Sequence, residues 1–166
     1  MMASEHPPVI KSLVLYEPPY LVKKHASAGF TIAFLQIMAL RAIGAKRAAA
    51  QKFYRTVVAR RDRTNDFDSS PRATREALLA NASPLLAELD AGTGEDLPLA
   101  KLRALTQRVT LLTGAQSAPL FDAAAERVMK AVPVRRRMSA PNAGHAMQLT
   151  DPSGFTTSIN ALLQET

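Results

Sequence analysis

The sequence of 166 residues contains no cysteine. That excludes a disulfide scaffold, thiol catalysis and the sulfur ligands of a zinc knuckle, and it fits a cytoplasmic chain. Aromatic residues are scarce, at 5%, so there is little from which to build a stacking platform for nucleic-acid bases. No run reaches the roughly 20 apolar residues that a membrane span needs. The most apolar stretch, Ala26 to Leu40, falls short and is interrupted by Gln36. The start shows no basic region followed by an apolar one, as a secretory signal would. Metal-ligand spacings such as His-x-x-x-His, phosphate-cradling glycine loops, internal repeats and long low-complexity tracts are also missing. No metal or cofactor is expected.

What is present reads as one folded domain with a real core: 47% of residues are hydrophobic and 21% charged. The formal charge is +7. Short basic clusters stand at Arg60-Arg61-Asp62-Arg63 and Arg135-Arg136-Arg137, and the other basic residues are spread through helical stretches. With no recognition motif, the expectation is a solvated basic surface, not a nucleic-acid or membrane site.

Hydrophobic patterning predicts the order of elements. Ile10–Tyr16, "IKSLVLY", is a continuous branched apolar run, expected as a strand buried on both faces and ended by Pro18-Pro19. No strand is expected between about Leu21 and Leu89. Helices are expected over Phe30–Ile43 and Ala45–Arg60, separated by Gly44, and from Ser70-Pro71 to Leu89, with Pro84 as a candidate break. "DAGTGED", Asp90–Asp96, reads as a loop. Then come a strand at Arg108–Thr113, a helix at Pro119–Ala131, a weaker strand at Val134–Ser139 and a last helix at Pro152–Leu163. Strands separated by helices imply parallel pairing, and open parallel sheets collect functional residues beyond the carboxyl ends of their strands. Glu17, the segment Gly114–Ser117 and His145 occupy those ends. His145 lies in a small-residue turn, "PNAGHAMQLTDPSGF". A histidine there can serve as a general base or merely cap the turn.

"SLVLYEPP" (Ser12–Pro19), "VTLLTGAQS" (Val109–Ser117) and "NAGHAMQLTDPSGF" (Asn142–Phe155) resemble, in order, the C-terminal half of α/β-hydrolase-fold enzymes. The resemblance implies an α/β class and a partial α/β-hydrolase fold: about three parallel strands with flanking helices and a helical cap insertion. Residues 1–20 and 90–166 would form the partial core and 21–89 the cap. His145 would be the catalytic base. The family commonly places an acid three residues past the glycine that ends its seventh strand. Ser117 stands there, and serine carries no charge. Some members, including certain haloalkane dehalogenases, hold the acid after the sixth strand, which would make Glu17 the acid. Without that role, Glu17 would serve the backbone of the Pro-Pro turn. Asp122 is a reserve acid, with the first turn of a helix as its simpler place. Asp151 is expected to cap the last helix. His6 and His25 are expected at the surface.

The family's nucleophile elbow, Gly-x-Ser-x-Gly, does not occur in the sequence. The family pattern would put it just before Met1, so the chain is expected to be a C-terminal piece, inactive by itself. In a complete enzyme the resemblance implies hydrolysis of an ester, amide, carbon–carbon or carbon–halogen bond in a small apolar organic substrate. Phe30, Phe34, Met38, Phe53 and Tyr54 are candidate pocket lining. The alternative is a non-catalytic module that self-associates through an exposed sheet edge or complements an N-terminal half.

Overall fold

The computed structural model describes residues 10–18, 26–91, 99–132 and 135–164. His6 and His25, and most of the loop expected at Asp90–Asp96, lie outside the described residues. Three strands form one parallel sheet: β1 (Ser12–Tyr16), β2 (Arg108–Gly114) and β3 (Arg135–Ala140), in the order β1-β2-β3. Tyr16 lies beside Leu112, and Gly114 beside Ala140, so the three carboxyl ends reach one level.

β2 is buried along nearly its whole length. Val109 and Leu111 pack with Ala125 and Val128 of helix α7 (Pro119–Ala131; α1–α6 precede it in the chain), while Leu112 packs with Ala140, Ala143 and Met147. A continuous apolar strand is what helices on both faces of a parallel sheet require. β1 differs from expectation: it is only half-buried, and Val14 is 39% exposed. It has a partner strand on one side alone among the described residues, and that leaves part of its surface uncovered.

Between β1 and β2 lies a helical segment. α1 (Ala28–Ala42) begins at Ser27, whose Oγ accepts the Phe30 N–H at 3.2 Å, and it stops two residues before Gly44, with Ile43 as its cap. α2 (Lys46–Val57) packs along it. A four-residue turn, α3 (Asp66–Ser69), is capped by the Asn65 side chain. The helix expected up to Leu89 is two helices, α4 (Arg72–Ala80) and α5 (Ala82–Asp90). Pro84 sits in the first turn of α5; its missing N–H leaves the ladder from α4 nothing to continue on. α6 (Leu99–Arg103) leads into β2. After β3 come α8 (Met147–Thr150) and α9 (Pro152–Leu163). The Asp151 carboxylate accepts the Gly154 N–H at 3.0 Å, the expected cap. Among the described residues no helix is long and apolar enough to cross a membrane.

Candidate functional site

Glu17 is the first residue past β1. Its backbone N–H continues the ladder to the Leu112 carbonyl at 3.1 Å. Its φ of 35° lies in the left-handed region, where a side chain is strained by about 1–3 kcal/mol. This turn directs the carboxylate inward, and the side chain is 0% exposed. Both oxygens are engaged. Oε1 accepts the Gly114 N–H at 2.7 Å, and Oε2 lies 2.7 Å from His145 Nδ1. The carboxylate therefore joins the ends of β1 and β2 to the histidine loop. Among the described residues it serves the backbone of Gly114; most of the Pro-Pro turn lies outside them.

His145 is held by ring contacts and by the backbone of its own loop. The Phe121 ring stacks on it at 4.0 Å and 13°, and the Tyr16 ring lies 6.2 Å away at 21°. The Tyr16 hydroxyl accepts the Met147 N–H at 2.7 Å. Its proton is directed at the carbonyls of Gly144 and His145. Gln116 N–H donates to the Ala143 carbonyl at 2.9 Å, which fastens the loop to the end of β2. With Nδ1 engaged, Nε2 makes no hydrogen bond among the described residues, and the ring is 26% exposed.

Burial raises the Tyr16 hydroxyl pKa far above the ordinary phenol value of 10.0, the charges of Glu17 and Asp66 add to this, and the Met147 N–H opposes it. The folded state thus keeps a proton that the unfolded chain loses. Stability from this group is full below about pH 10 and declines as pH rises through that value and beyond. Melting temperatures measured from pH 8 to 11 should fall at the alkaline end, and the fall should be smaller in Tyr16→Phe.

Two glycines permit the close packing. A Cβ on Gly114 would lie 2.7 Å from the Gly144 carbonyl oxygen and 2.8 Å from Ser117 Oγ. A Cβ on Gly144 would collide with Asp66 Oδ2. Asp66 is 2% exposed. Its Oδ1 accepts from Arg60 Nη1 at 2.9 Å, and Arg60 Nη2 donates to the Asn142 carbonyl at 2.7 Å. Arg61 N–H donates to the Gln116 carbonyl at 3.0 Å and Arg61 Nε to the Ser117 carbonyl at 2.9 Å. The hairpin around Ala59–Asn65 is thereby pinned to both loops of the site.

A cavity of about 770 Å³ opens beside His145. Phe30, Phe34, Phe53 and Tyr54 line it, together with Glu17, Phe121 and His145. Met38 does not. It shares the face of α1 that carries Phe30, Thr31 and Phe34 but lies a turn further along the helix, 37% exposed, so helical spacing marked the face and not how far along it the cavity extends.

The sequence matches no protein-family model and no curated protein. Solved structures do match. A bromoperoxidase from Bacillus anthracis superposes with a TM-score of 0.69 at 18% identity, over 93% of this chain and 58% of its own. A hydrolase from Oleispira antarctica gives 0.69 at 14% identity, over 99% and 60%. A carboxylesterase from Bacillus subtilis gives 0.62 at 15%, over 99% and 55%. The chain has part of the α/β-hydrolase fold. It spans less than two thirds of the length of these three structures.

The reserve acid Asp122, and Ser117 and Asp151, make no hydrogen bond to His145 among the described residues. Ser117 is buried, and its Oγ has no hydrogen-bond partner among the described residues. Asp122, in the first turn of α7, pairs with Arg61 and Arg137. Asp151 is spent on its helix cap. Tyr16, Phe121, Arg60 and Asp66 were not singled out from sequence. Each meets the histidine loop across a long stretch of chain, and no local pattern announces such a contact.

Proposed function

We propose that this chain supplies the proton-transfer half of an α/β-hydrolase catalytic centre acting on a small apolar substrate. The observation that carries this is the Glu17–His145 pair: a fully buried carboxylate 2.7 Å from Nδ1, with the ring at the wall of an apolar cavity. A carboxylate accepting from Nδ1–H makes Nε2 the basic nitrogen. Nε2 would take the proton of an attacking hydroxyl as its oxygen bonds to the substrate. It would return that proton to the leaving group, then deprotonate the water that clears the covalent intermediate. Glu17 stabilises the imidazolium that forms between these steps. The helical segment serves as a cap that walls the cavity and limits water. With a hydroxyl nucleophile the bond broken belongs to the ester, amide or carbon–carbon class; at a carbon–halogen bond the attacking group would be a carboxylate, the halide would leave without a proton, and Nε2 would act only on the water that cleaves the resulting ester.

Nitrogen-15 NMR of the imidazole tests the pair directly. In the neutral ring, His145 should show a protonated Nδ1 and a bare Nε2; a signal averaged between tautomers would overturn the assignment. No nucleophile or oxyanion-hole donor is assigned in this chain, and base plus acid do not replace them. The purified chain should therefore leave p-nitrophenyl butyrate at its background rate. Rapid hydrolysis lost in His145→Ala would mean that a nucleophile lies among these residues.

A second reading rests on β1. Its outer side has no partner strand among the described residues, and Val14 is exposed there. Such an edge invites strand pairing with a second copy or with a complementary segment. Light scattering should show a mass that rises with concentration; a constant monomer mass would dismiss self-association.

A further inference from the structure

The cavity has an electrical sign opposite to that of the whole chain. The sequence holds 21 lysines and arginines against 14 acidic residues. Yet the charged side chains lining the cavity among the described residues are carboxylates, Glu17, Asp66 and Glu88, with His145 as the one other titratable base. Glu88 is exposed on α5 and borders the cavity at its solvent side, beside Leu85 and Leu89, which also line it. Asp66 adds a second, independent sign. It is buried, and its Oδ2 has no hydrogen-bond partner, so only Arg60 on the other oxygen offsets its charge. The walls between these groups are aromatic and aliphatic, including Phe34, Phe53 and Tyr54. Apolar walls focus the field of the few charges they enclose, and aromatic faces add to the attraction of a cation. The Tyr54 hydroxyl registers the field. Burial first, and the Glu88 charge second, raise it above the ordinary phenol range.

We propose that this cavity selects its ligand by charge, taking apolar molecules with an ammonium group in preference to neutral ones and excluding carboxylates, with Glu88 as the specificity-determining residue. This rests on the cavity being the substrate site of the function proposed above. A carboxylate entering here would lose its water and meet no lysine or arginine among the described lining residues. An ammonium would meet the Glu88 carboxylate and aromatic faces. The matching substrate class is an ester or amide that carries an alkylammonium group, not an acid-bearing one.

The test uses the chain as it is and three probes with one apolar body: 3-phenylpropylamine, 3-phenylpropan-1-ol and 3-phenylpropionate. Each is titrated at pH 7 and low salt while the aromatic NMR signals of Phe53, Tyr54 and Phe121 are followed. The amine should bind on the order of tenfold tighter than the carboxylate, with the alcohol between them. Glu88→Gln should shrink that ratio about threefold and leave the alcohol unchanged, and about 0.5 M salt should act in the same direction. A melting curve for Glu88→Gln matching that of the wild type separates this from misfolding; salt provides the second measurement if it does not match. Equal or reversed affinities in the wild type would overturn the charge preference alone. Failure of all three probes to shift any cavity signal would overturn it together with the cavity's part in the proposed function.

Discussion

Glu17→Gln is expected to lower turnover by about 10⁴-fold in an enzyme that joins this chain to a nucleophile elbow, with little loss of fold. The size follows from tautomer control. The carboxylate can only accept, so His145 must present its Nδ1 proton to Oε2 and leave Nε2 able to receive one. An amide can turn its NH₂ toward Nδ1 and hold the ring in the opposite state, with the proton on Nε2. Its oxygen can still take the Gly114 N–H that Oε1 now accepts at 2.7 Å, which is why the fold should survive with a loss of about 1 kcal/mol. The measurement pairs kcat with a melting curve. Unchanged kcat in a folded variant would remove Glu17 from the proton relay, and a parallel collapse of both would make its role one of scaffold.

Asp66→Ala should be the most damaging single change to stability among the polar residues around the site. It leaves the Arg60 guanidinium, whose side chain is 19% exposed, without its counter-charge. Breaking a buried pair from one side costs about 3–5 kcal/mol, because the remaining charge stays desolvated. The lower end applies here, since Arg60 keeps some solvent and its bond to Asn142. For a chain of this length about 3 kcal/mol corresponds to a fall in melting temperature of roughly 6–12 °C. Replacing both partners, with Arg60→Met and Asp66→Leu together, should restore most of that loss, because no orphaned charge remains. If the single and the double variant melt alike, the pair is not coupled as its geometry indicates.

Local chemistry made most of the fold legible. The branched run ending at Tyr16, the apolar stretch before Gly114, the Pro119 and Pro152 helix starts and the Asp151 cap are all signals within a few residues of the structure they specify. The parallel sheet followed from strands alternating with helices. Short elements escaped: α3 and α8 have four residues each, too few for a period to emerge. The exposure of Val14 escaped because a sequence run does not say how many neighbours a strand has. At the site, Glu17 and His145 were read from their places after strands. Four of the five candidate lining residues, Phe30, Phe34, Phe53 and Tyr54, border the cavity beside His145. The support around His145 was not legible, because the contacts of Tyr16, Phe121 and Asp66 with the loop bring together residues far apart in the chain.

The backbone turn at Glu17 has a bearing on any attempt to harden this molecule against heat. Glycine at position 17 would relax that dihedral angle, yet it would also remove the carboxylate that ties the Gly114 N–H to His145 and leave a buried gap in its place. The discomfort of the backbone and the cohesion of the site thus reside in one amino acid, so gains in heat resistance are best sought far from it.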